Sequence, residues 1–87
     1  MKYKAGDRVK VKPRKWFDKL EETDGMRKTP GGEYLMDYHI SAAGLETVVT
    51  STVDKDPFSG KPTALYGLRG HSYLFPEETL DPVGKSK

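Results

Sequence analysis

Between Tyr3 and Lys12 a Gly6-Asp7 turn signal is followed by strict alternation, with Val9 and Val11 set against Arg8, Lys10 and Lys12. A period of two places successive side chains on opposite faces of a strand, so the valines point into a core while the cations stay in water. Such a strand has one apolar face and cannot bury it alone. The rest of an 87-residue chain must supply its partners. A single domain of that length buries somewhat over about 60% of the surface its unfolded chain exposes, enough for a small core.

The apolar fraction is 34% and the charged fraction 32%, so much of the polarity must sit in loops. Without cysteine there is no disulfide framework, no thiol nucleophile and no thiolate metal site. No apolar run approaches the roughly 18 residues that span a bilayer, and Met1-Lys2 precedes no signal-type core. The expectation is a soluble, cytoplasmic monomer that does not contact membranes. The net charge of +2 is unevenly spread: residues 1–15 hold seven cations and one anion, residues 16–58 four cations and nine anions. The basic strand and the acidic middle are either complementary surfaces of one molecule or, alternatively, a phosphate-binding patch beside an unrelated acidic one.

Pro13 ends the first strand, because it cannot donate to a ladder. Trp16, Phe17 and Leu20 then fit one side of a two-turn helix, either as a lid on the core or as an exposed aromatic pair. Residues 22–33, with Pro30-Gly31-Gly32, lose all apolar periodicity and read as a mobile loop. Tyr34, Met36, Tyr38 and Ile40 alternate as an edge-strand approach, although Leu35 breaks the pattern. Residues 46–53 are rich in β-branched side chains and read as a strand, with Val49 and Val53 on one face and Val48 opposite, which implies a bulge or burial on both sides. Residues 54–62 form a hairpin connection. Its Asp54-x-Asp56 is not a calcium loop, since Phe58, Ser59 and Leu65 stand where a ligand, glycine and glutamate are needed. Thr63–Arg69 is the next strand, and Tyr73 and Phe75 share a face of the following one. A 3₁₀ turn covers Pro76–Thr79, and Leu80–Val83 is a last short strand. Residues 84–87 read as a disordered tail.

The fold expected is therefore all-β: one domain over residues 1–83, a small five-stranded barrel with a long loop and a short helix after the first strand. Gly6-Asp7-Arg8-Val9-Lys10-Val11 resembles the opening strand of SH3-like barrels. Tyr73-Leu74-Phe75-Pro76-Glu77-Glu78-Thr79-Leu80 resembles their closing strand, 3₁₀ turn and final strand. More closely, the chain resembles small phage and prophage domains of this fold. The shared features are a Val-x-Val strand, the Trp16-Phe17 step, Ala43-Gly44 leading into Thr47–Val53, and the Tyr66, Leu68, Phe75, Glu77, Glu78, Leu80 ending. The chain lacks the Ala-Leu-Tyr-Asp-Tyr run and tandem Trp of peptide-binding SH3 domains, so their groove residues do not carry over. It also lacks the Gly-centred pattern of KOW-type barrels. The resemblance implies a fold and leaves the function open.

Chemistry is sparse. His39 and His71 are the only near-neutral bases, and neither stands in a nucleophile–base–orienter pattern. Glu21-Glu22 and Glu77-Glu78 are polar neighbours, not a split acid/base pair, and two histidines alone make no zinc set. The expectation is a non-enzymatic module without cofactor or metal. Its candidate partner-binding residues are Trp16, Phe17, Tyr34 and Tyr38, beside the 23–33 loop, since aromatics dominate binding hot spots. The alternative is nucleic-acid binding through Arg8, Lys10, Lys12, Arg14 and Lys15, as small barrels can do.

Overall fold

A computed structural model describes residues 2–23, 25–57 and 60–83. The expected tail at 84–87 and the Phe58-Ser59 step of the hairpin connection lie outside the described residues.

The first strand, β1 (Arg8–Val11), follows the alternation residue by residue: Val9 and Val11 are buried, Arg8 and Lys10 exposed. Its partners are β5 (Glu46–Lys55) on one side and β8 (Leu80–Pro82) on the other, both antiparallel. β6 (Pro62–Leu68) and β7 (Leu74–Pro76) extend the sheet beyond β5, giving the order β7-β6-β5-β1-β8. The last strand thus returns to the first. The two outermost strands, β7 and β8, are joined by a single 3₁₀ turn at Glu77–Thr79. Pro76 is the last residue of β7, paired opposite Leu65, and Pro82 is the last of β8. Edge strands tolerate proline because one side of their ladder is unused, and the missing donor blunts that side.

Val9, Val11, Val49, Tyr66, Leu68, Phe75 and Leu80 form one buried cluster, as the spacing predicts. Val53 does not join it and is only half-buried. The strand register shifts between Val49 and Ser51 and again between Val53 and Lys55, so one inward face cannot persist along β5. The first shift is a bulge, one of the two outcomes implied by Val48. Gly67 lies opposite it, and a Cβ there would stand 2.3 Å from the Ser51 hydroxyl oxygen, so glycine admits the Ser51 side chain.

Three expectations between residues 14 and 41 are corrected. In α1 (Arg14–Asp18), Phe17 is not a lid residue but a fully buried member of the core, and Trp16 half-covers it edge-on at 5.1 Å. Residues 22–33 are not a structureless loop. β2 (Glu22–Thr23), β3 (Met26–Lys28) and β4 (Tyr34–Leu35) make a small antiparallel sheet. It has no apolar period because polar groups hold it. The half-buried Arg27 guanidinium donates to the carbonyls of Phe17, Asp18 and Leu20 at 3.3–3.4 Å, where the chain leaves α1. Thr29 is buried and closes the turn by accepting from the Glu33 amide, and the Gly31 amide donates to the Glu78 carboxylate at 3.0 Å. Third, the alternation from Tyr34 gives way after two residues to a second helix, α2 (Asp37–Ser41). Leu35 ends β4, buried where Tyr34 is exposed, as alternation along a strand requires, and His39 is the buried residue of α2. Leu35 belongs to the same cluster as the valines, so both sheets share one core.

Among the described residues no helix is long and apolar enough to cross a membrane.

Candidate functional site

Large apolar side chains left in water are the first candidates for a binding face. Tyr73 is 54% exposed, Tyr34 51% and Met36 45%. Tyr73 was expected to share a face of β7 with the buried Phe75, yet it lies just outside that strand. Its ring stacks on Tyr38 with centroids 3.8 Å apart and planes 17° from parallel. Tyr38 in turn contacts the His39 ring at 4.2 Å, and His39 meets Phe75 edge-on at 4.9 Å. Tyr34 is covered on one side by the Lys28 ammonium, 5.5 Å from its centroid. Tyr38 on α2 and Tyr73 in the turn before β7 thus form one stacked pair, and Tyr34 and Met36 stand exposed at β4 and at the start of α2.

The four aromatics singled out from sequence divide. Tyr38 is half of the stacked pair, and Tyr34 is exposed. Phe17 is wholly buried and offers nothing to a partner, while Trp16 sits apart, with the Lys12 ammonium 5.9 Å from its ring. Tyr73 is not among the residues that the sequence singles out for a partner. Tyr73 follows the Gly70-His71-Ser72 turn directly, and that position, not its strand period, was the signal.

His39 holds the face together. Its Nδ1 accepts from the Met36 amide at 2.9 Å, the reach-back bond from the third helical position that caps a helix start. Its Nε2 lies 2.8 Å from the Leu74 carbonyl. Both nitrogens are occupied by backbone, so Asp37 does not orient this ring and neither nitrogen is free to take a substrate proton. Burial, partly offset by the Leu74 hydrogen bond, holds its pKa below the ordinary imidazole value.

Of the five candidate nucleic-acid contacts, Arg8, Lys10, Lys12, Arg14 and Lys15, three are ion-paired within the chain. Arg8 meets Glu46 at 2.6 Å, Lys12 meets Asp81 at 2.5 Å and Arg14 meets Asp18 at 3.3 Å. The sheet places Lys10 in register with Glu46 on one neighbour and Asp81 on the other. The uneven charge of the sequence therefore folds into alternating signs across β5, β1 and β8. A salt-titrated shift assay with single- and double-stranded nucleic acid is expected to show no sub-micromolar binding at physiological ionic strength. Steep salt dependence at that affinity, abolished by reversing Arg8, Lys10 and Lys12, would put phosphate contacts on this strand after all.

An open cleft of about 440 Å³ lies between α1, the small sheet and α2, lined among others by Arg14, Glu22, Arg27 and Asp37. Its two guanidinium groups are already committed to Asp18 and to the carbonyls at the end of α1.

No family model, curated protein or solved structure matches this chain.

Proposed function

We propose that this chain is a small non-catalytic interaction module, an SH3-like barrel of the phage and prophage kind acting in the cytoplasm, that holds a protein partner on the face of Tyr34, Met36, Tyr38 and Tyr73. The return of β8 to β1 across a 3₁₀ turn supports the barrel reading, since that closing arrangement is what the resemblance in the sequence implies. The observation that carries the function is the Tyr38–Tyr73 stack, with Tyr73 more than half exposed. A stacked pair is ordered before any partner arrives, so little side-chain entropy remains to be lost on binding. Tyrosine adds a large apolar surface with a polar tip, the composition of interface hot spots. The segment once read as a mobile loop contributes through Lys28, beside Tyr34, and not through disorder.

The test is affinity capture with the wild-type protein and with Tyr73→Ala and Tyr34→Ala, followed by titration of each purified captured protein. Both substitutions are on exposed side chains and leave the core intact. A genuine partner should lose at least about tenfold in affinity to one of them, the loss expected of a hot-spot aromatic. Partners that bind both variants as tightly as wild type would exclude this face.

A further inference from the structure

The chemistry of its two partners fixes the protonation state of His39. A backbone amide only donates, so Nδ1 must offer Met36 a lone pair; a carbonyl only accepts, so Nε2 must carry the proton toward Leu74. The ring is therefore neutral, and at 4% exposure it is shut away from water. Its two bonds tie the start of α2 to the first residue of β7. Those are the two segments that carry Tyr38 and, immediately before β7, Tyr73.

We propose that His39 is a proton-operated latch for the aromatic face: the neutral ring holds α2 against β7, and protonation releases Tyr38 from Tyr73. The proposal rests on reading that face as the partner-binding surface, and it names how the face is regulated. The added proton goes to Nδ1, whose lone pair is then spent. An N–H on the ring now confronts the Met36 N–H, donor against donor, in a place without water. The titratable groups around the ring do not compensate. They are Asp37 and Tyr38 on α2, Tyr34 on β4, and His71 and Tyr73 ahead of β7. Among the described residues none of them hydrogen-bonds or ion-pairs with His39. Asp37 is exposed, and His71 packs edge-on against Phe75 at 5.6 Å. The proton thus enters where the ring reaches water, which requires α2 and β7 to part. The sign follows. A group whose folded-state pKa is depressed favours the closed state above its ordinary value of 6.5, and that preference is lost as the pH falls below it.

The isolated protein is titrated by NMR from about pH 7.5 to about pH 5, the range in which imidazoles change charge. Three signals are followed: the His39 ring, the Tyr38 and Tyr73 rings, and the exchange protection of the Met36 amide. Below pH 6.5 that protection, corrected for intrinsic exchange, should fall by about tenfold per pH unit. The ring-current shifts of Tyr38 and Tyr73 should be lost along the same curve, and His71→Gln should leave the curve in place. His39→Gln keeps an acceptor and a donor but cannot titrate, so its tyrosine signals should be flat across the range. Should that variant not fold, the wild-type and His71→Gln titrations decide alone. The latch is overturned if the tyrosine shifts follow His71, or if His39 takes up its proton while Met36 stays protected. No partner is needed for these measurements. A failed latch leaves the effect of Tyr73→Ala on binding untouched, and a failed capture leaves the titration standing.

Discussion

Phe17→Ala should destabilise the protein by about 3–5 kcal/mol, the cost of deleting a buried phenylalanine ring and leaving its cavity. A domain of 87 residues has a total stability of about 4–13 kcal/mol. The cost is a large share of that total: at its low end the variant is partly or wholly unfolded at room temperature, and at its high end it stays folded with a much lower urea midpoint. The ring is 0% exposed and packs in the cluster of Val9, Val11, Leu35 and Leu80, although it is carried by a helix of five residues. A helix that short does not persist in water, so Phe17 is also what docks α1 and, through the Arg27 bonds to its carbonyls, the small sheet. Urea unfolding followed by Trp16 fluorescence measures the loss. A cost below about 1 kcal/mol would mean the ring is not in the core. Trp16→Ala, at a half-buried position and followed by circular dichroism because it removes the single tryptophan, should cost less.

The second large effect centres on Tyr66. Its ring is fully buried, yet its hydroxyl accepts from the amides of Lys2 and Tyr3 at 3.1 and 3.2 Å and donates to the Glu77 carboxylate at 2.5 Å. Tyr3 packs edge-on against it at 5.3 Å and donates its own hydroxyl to the Leu80 carbonyl. The N-terminal segment, β6 and the 3₁₀ turn meet at this one oxygen. Tyr66→Phe keeps the ring and leaves the buried Tyr3 amide unpaired, at a cost of about 1–3 kcal/mol. Combined with Glu77→Gln it should show a coupling of about 0.5–3 kcal/mol in a double-mutant cycle. Additivity of the two would mean that the hydroxyl and the carboxylate do not act together.

The same groups set how stability depends on pH. Burial pushes Glu77 up, but the hydrogen bonds from Tyr66 and the Lys2 amide outweigh it and hold the carboxyl below its ordinary 4.5. Its contribution is complete above that value and lost as the pH falls through the lower folded one. His39 adds a loss beginning below 6.5. On the alkaline side burial, reinforced by the Asp81 and Glu77 charges, raises Tyr3 from 10.0 to about 12. A raised pKa contributes stability that is complete below 10.0 and lost as the pH climbs toward 12. Urea midpoints should therefore be flat between about pH 6.5 and pH 10 and decline on both sides. In Tyr66→Phe the acid decline should be shallower, because Glu77 loses the donor that depresses it.

What could be read from the sequence was whatever depends on period two or on local turn chemistry. Val9 and Val11 in β1 and seven of the eight expected core side chains follow from side-chain alternation, which the backbone imposes wherever a strand forms, and the 3₁₀ turn before Leu80 follows from Pro76. The tertiary structure alone decided the region between α1 and β5. Arg27 and Thr29 order residues 22–33 through bonds to a helix end and to a turn, and such bonds leave no period in the sequence. His39 looks like an error in a strand until β7 supplies the Leu74 carbonyl that a buried imidazole needs. Phe17 and Tyr73 each stand close to a second aromatic in the sequence, Trp16 and Phe75. One fills the core and the other stands in water, because burial is set by what the distant strands leave open.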